Sequence, residues 1–563
     1  MAHILEKWKI ALAVAIFVVL ALVRIAATHR VFNATVDEPF HISSGVQIYQ
    51  ELNYDGNFQN PPLAPAAIGI LPYLNGLRLG PPADGSKARR VDLGLNEEYW
   101  RNISLARMGN IVFLPVLALV VYVWAARLHG EMAGLAAAAL ATFSPNLLAH
   151  AGLATTDFAA AATLPAAGYA LCRWAESPRT RNGFIAALLC GLAIGTKFTA
   201  IGLLPLFGAV AFVAFRGRSV FGKRCWNLGN AARTAGSVLL FLAVTGAVVW
   251  ALYGFDFRPL RDASMRPYAR IDRLFAPGTA LNDIGYRIAE LPVPAAGFID
   301  GFSRFSTYLG AGHARFHGFT TRQFLLGEVD SDRGWWYYFP LALALKTTLP
   351  FLLIAGLSLI RVLRRGVGKL TPAEICPITF AALVLLGSLF SSVNIGIRHI
   401  LPIYPLAAIF ASQVFAFSDG AFRYGRRTIV AGAALLLAHG AESALAHPDY
   451  LAYFNQIARG KEHLFLADSN LDWGQDAARL ARYAADHRIR PLHVALISPD
   501  QAAIGLVDAV PFAAGERPTG WVAISVGYLQ GVWNTGPSDY KWLLGHEPKA
   551  RIGSSIWLYY IEP

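Results

Sequence analysis

Apolar stretches long enough to cross a lipid bilayer recur along most of this chain, separated by shorter polar segments. A helix needs about 20 consecutive apolar residues to span the hydrocarbon core. The pattern predicts about eleven transmembrane helices, near residues 8–28, 105–127, 132–149, 155–174, 183–197, 199–215, 234–254, 336–360, 374–391, 399–417 and 428–446. The predicted fold class is therefore a polytopic α-helical membrane protein.

Basic residues in the short loops predict the orientation of these spans. With the N-terminus in the cytoplasm, every strongly basic short loop falls on the same side: the four lie within 173–181, 216–224, 361–369 and 423–427. Cytoplasmic loops are enriched in Lys and Arg. The first apolar run is interpreted as a retained anchor, because Arg24 interrupts its end and no clear small-residue cleavage site follows.

The large segments then all fall on the extracytoplasmic side. They are the loop 29–104, the loop 255–335 and the tail 447–563. We expect short helices lying on the membrane surface in the first loop. The tail contains "LFLA", "LHVALIS", "GWVAISV" and "SIWLYYI", which are typical of short strands, and 475–488 is typical of a helix. The predicted domains are thus 1–446 in the membrane and a small soluble α/β domain over 447–563.

Composition fits a membrane protein and excludes other classes. The 563 residues are 55% hydrophobic and 15% charged. The net charge of +13 could suggest a nucleic-acid partner, but no basic tract with interleaved aromatic residues occurs, so we expect none. Four cysteines are scattered without CxxC pairing, which argues against both a disulfide framework and a zinc site.

Ionisable residues gather at one level of the predicted topology, the extracytoplasmic boundary. They are Asp37, Glu38 and His41 in "TVDEPFH", then Asp157, Lys197, Arg398, His399, His439 and Glu442. Lys346 fits less well, because the span count places it deeper. Ionisable groups at membrane depth are costly unless they pair or line a wet cavity, so such residues are functional candidates.

Structural roles are open for several of these residues. Thr35 and Glu38 match a capping box at a helix start, which leaves Asp37 without a structural task. His41 could ligate a metal or hold a carboxylate, and we favour the carboxylate. Asp157 could cap its helix, and Lys197 could extend to the membrane interface.

The tail contains a further polar cluster in "ADSNLDWGQD". Asp468, Asp472 and Gln475 could bind a ligand there. Asp472 with Gln475 also matches an N-cap pair, which is the structural alternative.

A carboxylate and several cations beside an outward-facing membrane cavity suit glycosyl transfer. The carboxylate can deprotonate an acceptor hydroxyl, and the cations can stabilise a departing phosphate. Because nucleotide sugars are scarce outside the cytoplasm, such an enzyme needs a lipid-borne donor. The hypothesis is a transferase that uses a polyprenyl-phosphate sugar.

The motifs also resemble a known family. "VDEPFH", "FQNPPLAP", "SPNLLAHAGLATTDFAAAA", "GLAIGTKFTAIGLLP", "GWWYYFPLALALKTTLP" and "NIGIRHILPIYP" occur in this order over residues 1 to 417. This order resembles the protein O-mannosyltransferase and aminoarabinose transferase superfamily, the GT-C glycosyltransferases of family 39. The tail motif is similar to a bacterial branch predicted to use phospholipid-linked sugars.

The resemblance implies roles for individual residues. Asp37 matches the first-loop acid held to be catalytic, and Asp157 matches the second acid. Lys197 matches a basic residue near the carrier phosphate, and Arg398 matches an Arg or similar polar residue before the "LLP" motif. By position, Glu38 joins the catalytic candidates, and His41 and His399 join the candidates for binding the substrate or carrier phosphate.

The family's acid–Lys pair before "NPPL" is replaced by Gln59-Asn60, so no phosphate or metal role is transferred there. No metal-ligand set or other cofactor is predicted, although a divalent metal ion is compatible with the family.

The predicted function is transfer of a sugar from a polyprenyl-phosphate carrier to a lipid, glycan or protein acceptor on the extracytoplasmic face of a bacterial inner membrane. The alternative is a transporter or flippase for lipid-linked sugars, because buried charges also mark transport pathways. Clustering of the charges at one boundary and the large outer segments favour the enzyme.

Overall fold

Helices make up most of the protein. The computed structural model describes residues 2–54, 59–81, 89, 91–220, 228–260, 272, 275–311, 322–330, 333–418, 421–422, 425–498, 500–534 and 539–563. The helices of the membrane region are Ala2–Ala26, Asn96–Ile111, Phe113–His129, Glu131–Thr142, Pro145–Ala151, Asp157–Glu176, Thr180–Ile194, Ala200–Val220, Leu228–Leu252, Tyr338–Lys346, Leu349–Arg365, Pro372–Leu389, Ile403–Ala411 and Arg426–Leu445.

A helix lies at each of the eleven predicted span positions, but not all of them are long and apolar enough to cross a membrane. Among the described residues, five helices meet that requirement, within 8–26, 96–129, 235–252, 372–389 and 426–445. Two bent pairs raise the number to seven if each counts as one span. The protein is a multi-pass membrane protein, as predicted, whereas the count of eleven spans is not confirmed.

Two predicted spans are broken by local sequence. The helices Tyr338–Lys346 and Leu349–Arg365 meet at 113°. The Thr348 side chain caps the second helix by accepting from the Phe351 N–H, and Pro350, which has no N–H, lies in its first turn. The predicted span at 132–149 bends by 61° between Glu131–Thr142 and Pro145–Ala151, where Pro145 likewise starts a new helix.

The two long loops that the sequence predicts on the extracytoplasmic side contain short elements. The first holds the helices Glu38–Glu51 and Leu63–Leu74, in agreement with the short helices that were predicted. The second holds the helices Ala280–Glu290 and Ala296–Ala311 and two small antiparallel pairs, Phe257–Pro259 with Pro292–Pro294 and Gln323–Leu325 with Glu328–Asp330.

The tail forms a five-stranded mixed sheet. In spatial order its strands are Ala550–Ile552, Ile556–Ile561, Gly520–Ser525, Leu492–Ala495 and Ala509–Pro511. The last three run parallel to one another, and the first two pair antiparallel. The helix Ala477–Asp486 lies in the predicted position. The small C-terminal α/β domain is therefore confirmed.

One strand prediction is wrong. "LFLA" contributes to the short helix Glu462–Phe465, and only Leu466 makes a bridge, to Leu325. A four-residue apolar run does not distinguish a strand from a buried helical turn.

The hydrophobic core is continuous from the membrane helices into the tail. A single cluster of buried side chains contains Trp124 and Phe158 in the membrane region as well as Trp473, Ile524 and Trp557 in the tail. The domain boundary near residue 446 stays a prediction, and the tail packs directly on the membrane region.

Candidate functional site

The segment that precedes Asp37 is fixed by a buried arginine from a membrane helix. Arg107 donates from Nη1 to the carbonyl oxygens of His29 and Phe32, and from Nη2 to that of Asn33, over 2.8–2.9 Å. Its Nε and Nη2 also donate to the two carboxylate oxygens of Glu38 at 2.8 and 2.9 Å. All five N–H bonds of the guanidinium are thereby used.

Glu38 is as fully satisfied as its partner. Besides Arg107, it accepts from the backbone N–H of Ala154 and of Thr35, each at 2.8 Å. Burial raises the pKa of Glu38, but the Arg107 guanidinium outweighs burial and holds that pKa below its usual value. The Thr35 contact is half of the predicted capping box. The geometry favours a positioning role for Glu38 over the catalytic one.

Asp37 points instead into a cluster of charges. The Nη1 atom of Arg398 donates to Asp37 Oδ2 at 2.7 Å and lies 3.7 Å from Asp157 Oδ2. Lys197 Nζ donates to the other oxygen of Asp157 at 2.5 Å. Two carboxylates and two cations that are far apart in sequence thus form one connected group. Asp37 is its most accessible carboxylate, with a side chain 33% exposed against 5% for Asp157.

Local structure explains these positions. Asp37 directly precedes the helix Glu38–Glu51, and Asp157 is the first residue of the helix Asp157–Glu176. Lys197 follows the end of the helix Thr180–Ile194, and Arg398 lies in a single 3-10 turn, Ile397–Ile400. Each charge thus stands at or beside the end of a helix or turn.

The segment "QNPPLAP" borders the same group. Thr156 donates to Asn60 Oδ1 at 2.9 Å, and the Leu63 N–H donates to the Gly195 carbonyl at 2.9 Å. Because Thr156 directly precedes Asp157, this hydrogen bond brings Asn60 close to the charged group. A neutral amide lies where the resemblance implied an acid–Lys pair.

The two histidines of the predicted site are at this location. Burial lowers the pKa of His41 most, the carboxylates of Asp37 and Asp157 act to raise it, and the net pKa is below the usual histidine value. The ring is therefore neutral at pH 7, which suits a hydrogen-bonding role. His399 follows Arg398 in the same turn and is half-buried.

No sequence pattern indicates that the tail reaches this group, yet two of its residues lie beside Arg398. Trp473 of "ADSNLDWGQD" lies under Arg398, with the guanidinium carbon 4.2 Å from the indole centroid. Asp468 also lies close enough to Arg398 for the guanidinium to affect its pKa. Burial raises the pKa of Asp468 to about 7, and Arg398 opposes that rise.

Asp472 and Gln475 bind backbone groups of the tail, as Asp472 accepts from the Gly527 N–H and Gln475 accepts from the Trp473 N–H.

Three other ionisable residues have structural partners. His439 contacts the Thr348 hydroxyl and the Leu140 carbonyl, and Glu442 accepts from the Tyr453 hydroxyl. Lys346 donates to the carbonyls of Leu451 and Asn470. Their predicted depth alone does not indicate a shared site.

Arg107 and Trp473 are the main residues that sequence reasoning missed. Arg107 is the single arginine in the mostly apolar stretch 103–126, and this is a signal that could have found it. Trp473 offered no comparable signal. Within the described residues, no group of three or more His, Cys, Asp or Glu side chains is arranged to hold a metal ion.

Residues 101–251 match the family model of the dolichyl-phosphate-mannose-protein mannosyltransferases. The resemblance to GT-C glycosyltransferases of family 39 is confirmed over this stretch. The family-39 match includes Arg107, Asp157 and Lys197, whereas Asp37 and Arg398 lie outside it. No curated protein sequence matches the chain.

Several solved structures are similar to the chain at low sequence identity. ArnT from Cupriavidus metallidurans bound to undecaprenyl phosphate is 14% identical, with 97% of each chain covered and a TM-score of 0.47. The apo oligosaccharyltransferase of Archaeoglobus fulgidus is 14% identical, with 92% of this chain and 62% of that chain covered and a TM-score of 0.47. The arabinofuranosyltransferase AftD from Mycobacteria is 12% identical, covers 99% of this chain and 40% of that chain, and has a TM-score of 0.36.

Proposed function

We propose that this protein transfers a sugar from a polyprenyl-phosphate carrier to a hydroxyl of a lipid, glycan or protein acceptor on the extracytoplasmic face of a bacterial inner membrane. The observation that carries the proposal is the connected group in which Arg398 lies between Asp37 and Asp157, with Lys197 on the far side of Asp157. The family model that matches residues 101–251 is named for a lipid-phosphate sugar donor, which supports the same chemistry.

The reaction balances with these residues alone. The acceptor oxygen forms a bond to the anomeric carbon of the sugar, while the bond from that carbon to the phosphate oxygen breaks. The electron pair of the broken bond goes to the carrier phosphate, and the acceptor proton goes to a carboxylate. The products are a glycosylated acceptor and free polyprenyl phosphate.

Asp37 is the carboxylate best placed to take the proton. It is more exposed than Asp157, and it has one charged partner, Arg398, whereas Asp157 has Lys197 at 2.5 Å as well. A general base must reach the proton it removes and must be ionised at the working pH. Asp157 is suited to holding the two cations in place.

Lys197 and Arg398 are suited to the departing phosphate. A carrier phosphodiester has one negative charge, and the phosphate monoester that leaves gains another. Fixed cations stabilise a charge that develops in the transition state more than the charge of the bound donor, and this difference accelerates the reaction. His41, neutral and buried beside Asp37, can hydrogen-bond to the sugar or to the base. His399, in the turn of Arg398, is placed for a contact with the donor.

Mass spectrometry of membrane lipids separates a transferase from a transporter. Cells that express the wild-type chain should lose polyprenyl-phosphate sugar and gain free polyprenyl phosphate, and Asp37→Asn should reverse this balance. A flippase leaves the bond between the sugar and the phosphate intact, so an unchanged ratio of the two lipids in wild-type and Asp37→Asn cells would favour transport. Asp508→Asn, on the exposed surface of the tail, is the matched control.

A further inference from the structure

Ten residues of the tail, "ADSNLDWGQD" from Ala467 to Asp476, pack beside the group formed by Asp37, Asp157, Lys197 and Arg398. We call this segment the tail loop. All ten residues are buried. Asp472 accepts from the Gly527 N–H at 2.8 Å, and the Ser555 hydroxyl donates to Asp476 at 2.7 Å, so the loop is also anchored in the sheet domain. It therefore connects the C-terminal domain with the membrane region.

The tail loop binds the segment that holds Asp37. The backbone N–H of Val36 donates to the Trp473 carbonyl at 3.1 Å. The buried Asn33 side chain donates to the Gly474 carbonyl at 2.7 Å and accepts from the Ala478 N–H at 3.0 Å. These contacts fix the residue immediately before Asp37 to the residue that stacks on Arg398.

The same loop binds the segment that holds Arg398. The Ser469 hydroxyl donates to the Ile395 carbonyl at 2.6 Å, and the Ile397 N–H donates to Asn470 Oδ1 at 3.0 Å. These two segments approach so closely that a Cβ atom added at Gly396 would lie 2.1 Å from the Ser469 hydroxyl oxygen.

We propose that the tail loop, through Trp473, is the positioning element of the Asp37–Arg398 pair, so that the C-terminal domain completes the active site. The proposal rests on the transfer function proposed above and names a residue that this function requires. A guanidinium stacked on an indole keeps its plane parallel to the ring and presents its N–H groups at the edge. In this protein that edge faces Asp37 and Asp157.

The test compares Trp473 with a second tryptophan that has the same kind of partner. Trp557 lies in the strand Ile556–Ile561 and stacks with Arg551 at 4.6 Å, within the tail sheet. Binding of undecaprenyl phosphate to the full-length protein in lipid nanodiscs is the probe. Trp473→Leu should weaken binding about 10-fold, because the cation–π contact that orients Arg398 is lost. Trp473→Phe should recover most of this loss, and Trp557→Leu should leave binding unchanged.

A double-variant comparison separates positioning from general structure. If Trp473 acts through Arg398, Trp473→Leu should cost less than about 2-fold more in binding when Arg398 is already glutamine, since coupled residues are non-additive. An equal loss in both backgrounds, or an equal loss from Trp557→Leu, would overturn the proposal.

Hydrogen exchange tests the inference even if the probe lipid does not bind to the wild-type chain, a result that would contradict the proposed function instead. Trp473→Leu should increase exchange in peptides that cover residues 33–41 and 394–400, and Trp557→Leu should not. Unchanged exchange in both peptides of Trp473→Leu would show that the tail loop does not hold the pair.

Discussion

The Nη1 atom of Arg398 donates to Asp37 Oδ2 at 2.7 Å, across 361 positions of the sequence. The same atom lies 3.7 Å from Asp157. A planar guanidinium can serve two acceptors at fixed angles, whereas a lysine ammonium is a single point charge. Arg398→Lys should therefore lower turnover about 100-fold even though the charge is kept, an effect of the size seen when one oriented donor is removed. Turnover is measured with purified protein, and Arg551→Lys in the tail sheet is the control.

Removal of the base should separate chemistry from binding. Asp37→Asn keeps the shape of the side chain but cannot take a proton, so turnover should fall by about 10²–10⁴-fold. Binding of undecaprenyl phosphate should persist, because Lys197 and Arg398 are unchanged. Near-normal turnover in Asp37→Asn would transfer the role of base to another carboxylate, and the first candidate is Asp157, which shares Arg398 with Asp37.

Loss of a cation should have the opposite signature. Lys197→Ala removes the partner 2.5 Å from Asp157 and leaves that buried carboxylate with Arg398 alone. Both carrier affinity and turnover should fall, each by at least about 10-fold, since the proposed function assigns this cation to the donor and to the leaving phosphate. If affinity stayed constant while turnover fell, Lys197 would lie outside the carrier site.

The Glu38–Arg107 pair should contribute to stability rather than to chemistry. Both side chains are buried, so Arg107→Ala leaves a buried carboxylate without its counter-charge, which typically destabilises a protein by about 3–5 kcal/mol. Thermal unfolding of the detergent-solubilised protein measures the loss. The exposed pair Arg101–Glu98 is the control, and Arg101→Ala should change stability by less than about 1 kcal/mol.

Carrier binding should depend on pH through Asp468. Burial raises the pKa of Asp468 to about 7, so the group is neutral below that pH and negative above it. As pH rises from 6 to 8, Asp468 ionises near Arg398 and competes with the carrier phosphate, so affinity should decrease. Asp468→Asn should remove this dependence.

A rise in pH should lower the stability of the fold through Asp468, just as it lowers carrier affinity. The native state holds the Asp468 proton up to about pH 7, while the unfolded chain releases it near pH 4, so unfolding becomes easier as pH rises between these values. A pH dependence of carrier affinity that is the same in Asp468→Asn as in the wild type would contradict the assignment.

Much of the membrane region could be predicted from sequence, because the hydrophobic effect and the bilayer thickness act on local segments. Asp37, Asp157, Lys197 and Arg398 could be placed at one level by counting spans. Their pairing could not, since it depends on how helices far apart in sequence pack. Lys346 and His439 show the limit of the argument from depth, because each has backbone or hydroxyl partners that no local pattern indicates.

The tail loop was the least predictable part. The pattern around Asp472 and Gln475 predicts an N-cap pair, but the following helix begins only at Ala477. Asp472 instead accepts from the distant Gly527 N–H, and Gln475 accepts from the nearby Trp473 N–H. Trp473 carries no periodic or charge signal. Its place under Arg398 follows from the fold of the whole chain.

Trp473 follows all the membrane helices in the sequence, and this order has a consequence for biosynthesis. A ribosome makes the membrane helices before the tail, so Asp37 and Arg398 are synthesised before Trp473, whose indole stacks on Arg398. Only after the tail loop has been made and has folded back onto the membrane region can the Val36 N–H bind the Trp473 carbonyl. A nascent chain that stops before the tail loop would thus be anchored in the bilayer but inert, and maturation of the site would wait for the C-terminal domain to fold.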